Sequence, residues 1–212
     1  LAHGVRCGPV VSRRAIMRDP GAENDLVFFV VLCVTGRVGT EENPMKILHI
    51  LRHAKSDWGE PGLADHDRPL NVRGLRDAPR MGAALQRQLA PMGIHASTAR
   101  RAQMTLQGLC AGWPGLAAAS HRSEPDLYTF SATDLLAWLR ARPDDEEQLF
   151  LIGHNPGLTD LANQLLPALR LGNLPTAGYL RMQLPVQHWA SVGDAAGTLQ
   201  QQLFPRDLPP GG

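Results

Sequence analysis

The sequence predicts a three-layer α/β/α domain built on a mostly parallel central sheet. Two observations predict it. From Met45 onward, short apolar strand-like runs alternate with segments of helical period. Two of those runs, "KILHIL" (46–51) and "LFLI" (149–152), break off abruptly into turns that contain a histidine. An open parallel sheet gathers its ligand-binding residues at such strand ends.

Taken in order, the first strand spans 46–51, and a polar loop with Asp and Pro follows over 55–71. The stretch "GLRDAPRMGAALQRQLA" then places Leu75, Ala78, Gly82, Leu85 and Leu89 on one helical face, with Asn71 as its cap. Pro79 should bend this helix or sit early in it. A short strand in "GIHAS" (93–97) precedes the helical "ARRAQMTLQGLC", whose Ala102, Leu106 and Leu109 face inward. Ser131, followed three residues later by Asp134, resembles a capping box opening "TDLLAWLRA". After the strand at 149–152 and the turn "GHNPG", "LTDLANQLL" reads as a helix. "GYLRMQLP" (178–185) alternates like a half-exposed strand, and a last strand lies in "TLQQQLF".

This organisation assigns one domain to residues 45–207 and a flexible Pro/Gly tail to 208–212. Residues 1–44 carry no sustained period and are expected to be a loosely packed or non-native extension. The apolar run "LVFFVVLCV" (26–34) is much shorter than the roughly 20 residues that span a bilayer. Glu23 and Asp25 before it, and "TGRVG" after it, make a poor secretory signal. With 212 residues and a formal net charge of +1, its basic residues scattered, the chain has neither the footprint of a nucleic-acid binder nor a polybasic membrane anchor. Cys7, Cys33 and Cys110 suit neither a disulfide framework nor a zinc site, so a cytoplasmic location is expected.

Arg52-His53 and Gly153-His154 end the two apolar strands, and the topology can bring both imidazoles to one pocket. An imidazole nitrogen can attack phosphorus and hold the phosphoryl group until water removes it. The oxygens of that group need fixed cationic donors, and the arginine fork supplies paired ones. Arg68 in "DHDRPLNVRG" and Arg101 in "STARRAQMT", at the start of a helix, are the candidates.

These segments, "LRHAKSDW", "DHDRPLNVRG", "STARRAQMT" and "LIGHNPGL", in this order and spacing, resemble the histidine phosphatase superfamily with its phosphoglycerate-mutase-like fold. Within it they look most like the SixA-type phosphohistidine phosphatases. The resemblance, running from Met45 to about Asp207, implies His53 as the phosphorylated residue and Arg52 as its neighbouring clamp. It implies Arg68 over the pocket, Arg101 as the arginine behind the second strand, and His154 as the second histidine, donating to the phosphoryl group. Asn155 and Ser97 are expected to contact substrate. Ala54 stands where the superfamily usually has glycine, and Ser97-Thr98 replaces the usual Ser-Pro. Arg100 adjoins Arg101, and the R-A-x-x-T register favours Arg101 as the inward one.

A general acid is the least defined part. Glu124 and Asp126 in "SEPDLYTFSATD" are the candidates, although solvated loop carboxylates are the simpler reading. A phosphohistidine substrate has less need of one, because imidazole leaves more readily than an alkoxide. His49 should pack beside its strand. His66, between Asp65 and Asp67, suggests a metal ligand only weakly, and neither metal nor cofactor is expected. The four tryptophans should serve as core or pocket rim. The activity implied is a metal-independent phosphatase acting through phospho-His53, with a phosphorylated protein as substrate, such as a histidine phosphotransfer domain. The alternatives are a phosphatase of small esters (sugar phosphates or nucleotides) and a phosphate-binding module without turnover.

Overall fold

In a computed structural model, residues 45–193 and 196–209 are described. The expectations for residues 1–44 lie outside them. Among the described residues six strands and four α-helices alternate: β1 (Lys46–Arg52), α1 (Val72–Gln86), β2 (His95–Ser97), α2 (Arg100–Gly112), β3 (Arg122–Glu124), α3 (Ala132–Arg140), β4 (Gln148–Gly153), α4 (Gly157–Leu165), β5 (Tyr179–Leu184) and β6 (Thr198–Leu203). They form one sheet of order β3-β2-β4-β1-β5-β6. The β3/β2, β2/β4 and β4/β1 pairs are parallel, whereas β5 and β6 join antiparallel. The mostly parallel α/β sheet is therefore as expected.

Alternation along β1 feeds two cores. Leu48 and Ile50 join the cluster that includes Leu135, Leu139, Leu158 and Leu161 of α3 and α4. Leu51 joins the one that includes Met81, Leu85, Leu106 and Leu109 of α1 and α2. A strand buried on both faces reads as a nearly continuous apolar run, which is why β1 and β4 were legible. His49 fits the second face because Nδ1 meets the Tyr179 hydroxyl at 2.6 Å and its ring stacks on Phe150.

Asn71 caps α1, its side chain accepting from Gly74 N at 3.0 Å. Gly74 is required there, since a Cβ would collide with the Lys55 carbonyl in the loop leaving β1. Further along, α1 and α2 meet through Gly82, whose Cβ would strike the Leu109 carbonyl. One expectation is corrected. Leu75 is 53% exposed, lying about 90° round the helix from the centre of the buried Gly74/Ala78/Met81/Leu85 seam. Asp77 is buried instead, accepting from Arg76 and Arg80. Pro79 lies inside α1.

Ser131 caps α3 by accepting from Asp134 N, but the Asp134 carboxylate takes the Thr129 hydroxyl rather than closing the reciprocal box. Among the described residues, no helix is long and apolar enough to cross a membrane.

Candidate active site

The β1/β4 ladder pairs Arg52 with Gly153, so His53 and His154 leave the sheet side by side. Their ring centroids are 5.0 Å apart. Backbone bonds hold the turn: His53 N donates to Gly153 O, and Ala177 N donates to the carbonyls of Arg52 and His53. Ala54 N donates to Thr105 Oγ1 at 2.9 Å, and that hydroxyl donates to Arg101 O at 2.6 Å. One threonine thus ties the end of β1 to the first turn of α2.

His53 Nδ1 lies 2.7 Å from Ala54 O and must donate to it, which leaves Nε2 with its lone pair. Arg101 Nε approaches that nitrogen at 3.3 Å. Burial is the main reason the His53 pKa falls to about 3, and the Arg101 and Arg52 charges lower it further. An unprotonated, buried imidazole with one nitrogen anchored and the other aimed at a guanidinium has the form of a nucleophile.

Arg101 is the inward arginine, and Arg100 is exposed. Its Nη1 donates to Asp65 O at 2.5 Å, and its Nη2 contacts Asp65 Oδ2 at 2.9 Å and His154 Nδ1 at 3.2 Å. Because His154 Nδ1 accepts from Arg101, its Nε2 donates to Ser97 Oγ at 2.7 Å. Burial, then the neighbouring His53 and Arg101, push the His154 pKa down to about 2.

Arg52, half-buried, donates through Nη1 to Leu174 O at 2.8 Å and to Asn173 Oδ1 at 3.3 Å. Its Nε is buried without a partner among the described residues. Arg68 lies flat on Trp58, with Cζ 3.6 Å from the ring centroid, and its buried Nη1 makes no hydrogen bond among the described residues, its charge partner being Asp65 Oδ1 at 3.8 Å. Buried guanidinium N–H groups with no hydrogen-bond acceptor, on Arg52 and on the Arg68 that pairs with Asp65, are donors available to an anion.

Four further candidates are placed by their contacts. Ser97 is buried beneath His154, and its hydroxyl accepts from that ring. Asn155 spends its amide on Asn173 Oδ1 and Leu174 O, holding the same segment that Arg52 holds. Glu124 accepts from His95 Nδ1 at 2.9 Å, and Asp126 is exposed in the turn after β3. The carboxylate that does reach the site is Asp65. Burial would raise its pKa, but the Tyr128 hydroxyl donating at 2.8 Å and the Arg101 charge outweigh this and hold it low. Its signal in the sequence was its place three residues before Arg68.

Tyr128 and Phe130 were also missed. Both rings pack against His154, at 5.4 and 5.5 Å. His66 contacts Thr98 and Asp67. Among the described residues, no group of three or more His, Cys, Asp or Glu side chains could hold a metal ion.

Residues 48–128 match the family model described as Histidine phosphatase superfamily (branch 1). An uncharacterized protein of Mycobacterium tuberculosis is 31% identical over 166 residues, covering 74% of this chain and 100% of the relative. The SixA structure from Nakamurella multipartitia aligns with a TM-score of 0.63 at 24% identity, over 76% of this chain and 96% of that one. The protein histidine phosphatase SixA complexed with tungstate aligns with a TM-score of 0.60 at 19% identity, over 76% and 98%. At these identities the structural matches speak for the fold.

Proposed function

We propose that this chain, which belongs to the histidine phosphatase superfamily, removes phosphate from phosphohistidine on a protein through a phospho-His53 intermediate. The observation that carries the reading is His53 Nε2: free of a proton, held by the Nδ1 bond to Ala54 O, and facing Arg101. In the first step Nε2 attacks phosphorus while the bond to the leaving nitrogen breaks. Arg101, Arg52 and Arg68 meet the oxygens, the last two with nitrogens that make no hydrogen bond among the described residues. For His154 to join them, Nδ1 takes up a proton and Arg101 Nη2 turns from it to an oxygen. The arriving negative charge favours both changes. Water then attacks the phosphoimidazole, releasing inorganic phosphate and freeing His53.

Two features support a protein-borne phosphohistidine. Asp65 is held as a carboxylate and engaged with Arg101 and Tyr128, so it is a poor proton donor, and a leaving imidazole needs one least. The rim carries large exposed aromatic surface at Trp58 (67%) and Phe130 (45%), which suits contact with another protein's surface. The protein histidine phosphatase SixA, whose fold this chain shares, was captured with tungstate, a phosphate mimic.

Incubation with a phosphohistidine protein followed by acid or alkaline quench tests this reading. An acid-labile, alkali-stable phosphoenzyme is expected in the parent and absent in His53→Ala. Parental turnover by His53→Ala would end the proposal, and a clear preference in kcat/KM for small phosphate esters would overturn the substrate.

A further inference from the structure

A cavity of about 610 Å³ lies between α1 and the segment after β6, and neither His53, Arg101 nor His154 lines it. The α1 side contributes Arg73, Arg76 and Arg80, spaced three and four residues apart so that they share one helix face. Arg206 enters from the turn after β6. Of the lining residues only Asp77 is acidic, and it is buried, its Oδ1 accepting from both Arg76 Nε and Arg80 Nη1. Arg206 Nε also lies 3.5 Å from Asp207 Oδ1, so four guanidinium groups against two carboxylates leave a local surplus of two positive charges, in a chain whose formal net charge is only +1.

Such a cluster is unfavourable by itself, since like charges at these helical spacings repel. Arg80 Nε is in addition buried without a partner among the described residues, while its Nη2 is held by the carbonyls of Leu208 and Pro209. The apolar part of the wall includes Phe204, with Arg206 Cζ 5.4 Å from its ring centroid, and Leu208. Volume, surplus charge and a flat apolar wall together describe a small-molecule site for an anion with an apolar body.

We propose that this cavity is a second anion site, separate from the His53 centre, which takes a multiply charged phosphate group joined to a flat apolar body, as in a nucleoside polyphosphate. Its wall reaches the first site through one side chain. Arg73 Nη2 donates to Thr176 Oγ1, and the next residue, Ala177, donates its N–H to the carbonyls of Arg52 and His53. A ligand drawing on Arg73 therefore pulls on the segment that frames the nucleophile.

The probe is the β,γ-methylene analogue of adenosine triphosphate, titrated calorimetrically into the full chain at about 50 mM salt, where surface charge is weakly screened. Orthovanadate, at a concentration that stops aryl phosphate turnover, occupies the His53 centre. Saturable one-to-one binding should persist with vanadate present. It should weaken at least about tenfold in Arg76→Glu/Arg206→Glu, as expected for lost charge-assisted bonds, with aryl phosphate turnover unchanged. Both side chains are largely exposed, at 62% and 79%, and Arg76→Gln/Arg206→Gln gives a milder version if the reversal perturbs folding. Binding abolished by vanadate, or equal in parent and variants, overturns the proposal. So does binding of a short polyglutamate peptide without binding of the analogue, which would make the cluster a protein-facing surface. The arginine variants read this cavity even if the phosphatase reading fails.

Discussion

Acidification should destabilise this fold well before its carboxylates titrate. His49, His53 and His154 are all buried, and burial is the main cause holding their pKa values at about 4, 3 and 2, below the ordinary 6.5. Below pH 6.5 the unfolded chain binds protons at these three sites and the native state does not. Stability from this source is therefore complete above about pH 6.5 and is lost as pH falls, until the native imidazoles themselves titrate between about 4 and 2. Between pH 7 and 5 each contributes a loss of about 2 kcal/mol, set by the unfolded value because the native form stays neutral throughout. Together they amount to roughly 6 kcal/mol, a large share of the 5–15 kcal/mol that holds a typical domain. Urea unfolding followed by tryptophan fluorescence at pH 7 and pH 5 reads this directly. A His49→Gln variant should reduce the loss between pH 7 and 5 by about 2 kcal/mol, whatever its effect on absolute stability. Equal unfolding free energies at the two pH values, within about 1 kcal/mol, would refute the reasoning. The same logic assigns the acid limb of any activity profile to unfolding, because His53 remains a free base throughout.

Two further outcomes follow from the site geometry. Arg101→Lys keeps a charge but loses the fork that reaches His53, Asp65 and His154 together, so kcat/KM should fall by about a hundredfold or more; steady-state kinetics with an aryl phosphate measure it. Thr105→Val keeps the shape but strands the Ala54 N–H, which should cost about 1–3 kcal/mol in chemical denaturation and lower kcat more than it raises KM.

What the sequence made legible follows the strength of its local signals. β1 and β4 could be read because strands buried on both faces are nearly continuous apolar runs, and His53 and His154 stood out because they follow the ends of those runs. Asn71 announced α1 because an N-cap is a one-residue decision. The β3 strand was invisible: Arg122–Glu124 is short and polar, and only pairing with β2 makes it a strand. Leu75 was misplaced because the buried face of α1 centres on Gly74, Ala78, Met81 and Leu85, a tertiary choice that leaves Leu75 at its edge. Asp65 and Tyr128 escaped for a similar reason. Each belongs to a loop whose chemistry exists only once the two loops and Arg101 meet at the Asp65 carboxylate. Ser97 and Asn155 were seen, but residue type alone could not tell that the first lies under the His154 ring and the second on the Asn173–Leu174 segment.

The separation between the two imidazoles is inherited from main-chain geometry. Adjacent strands run about 4.8 Å apart, and the rings sit 5.0 Å apart because each occupies the first position past a paired rung. A spacing written into the hydrogen-bonded lattice does not drift when surrounding loops lengthen, shrink or change composition. The walls that choose a substrate can thus be rebuilt freely while the interval between the rings stays fixed.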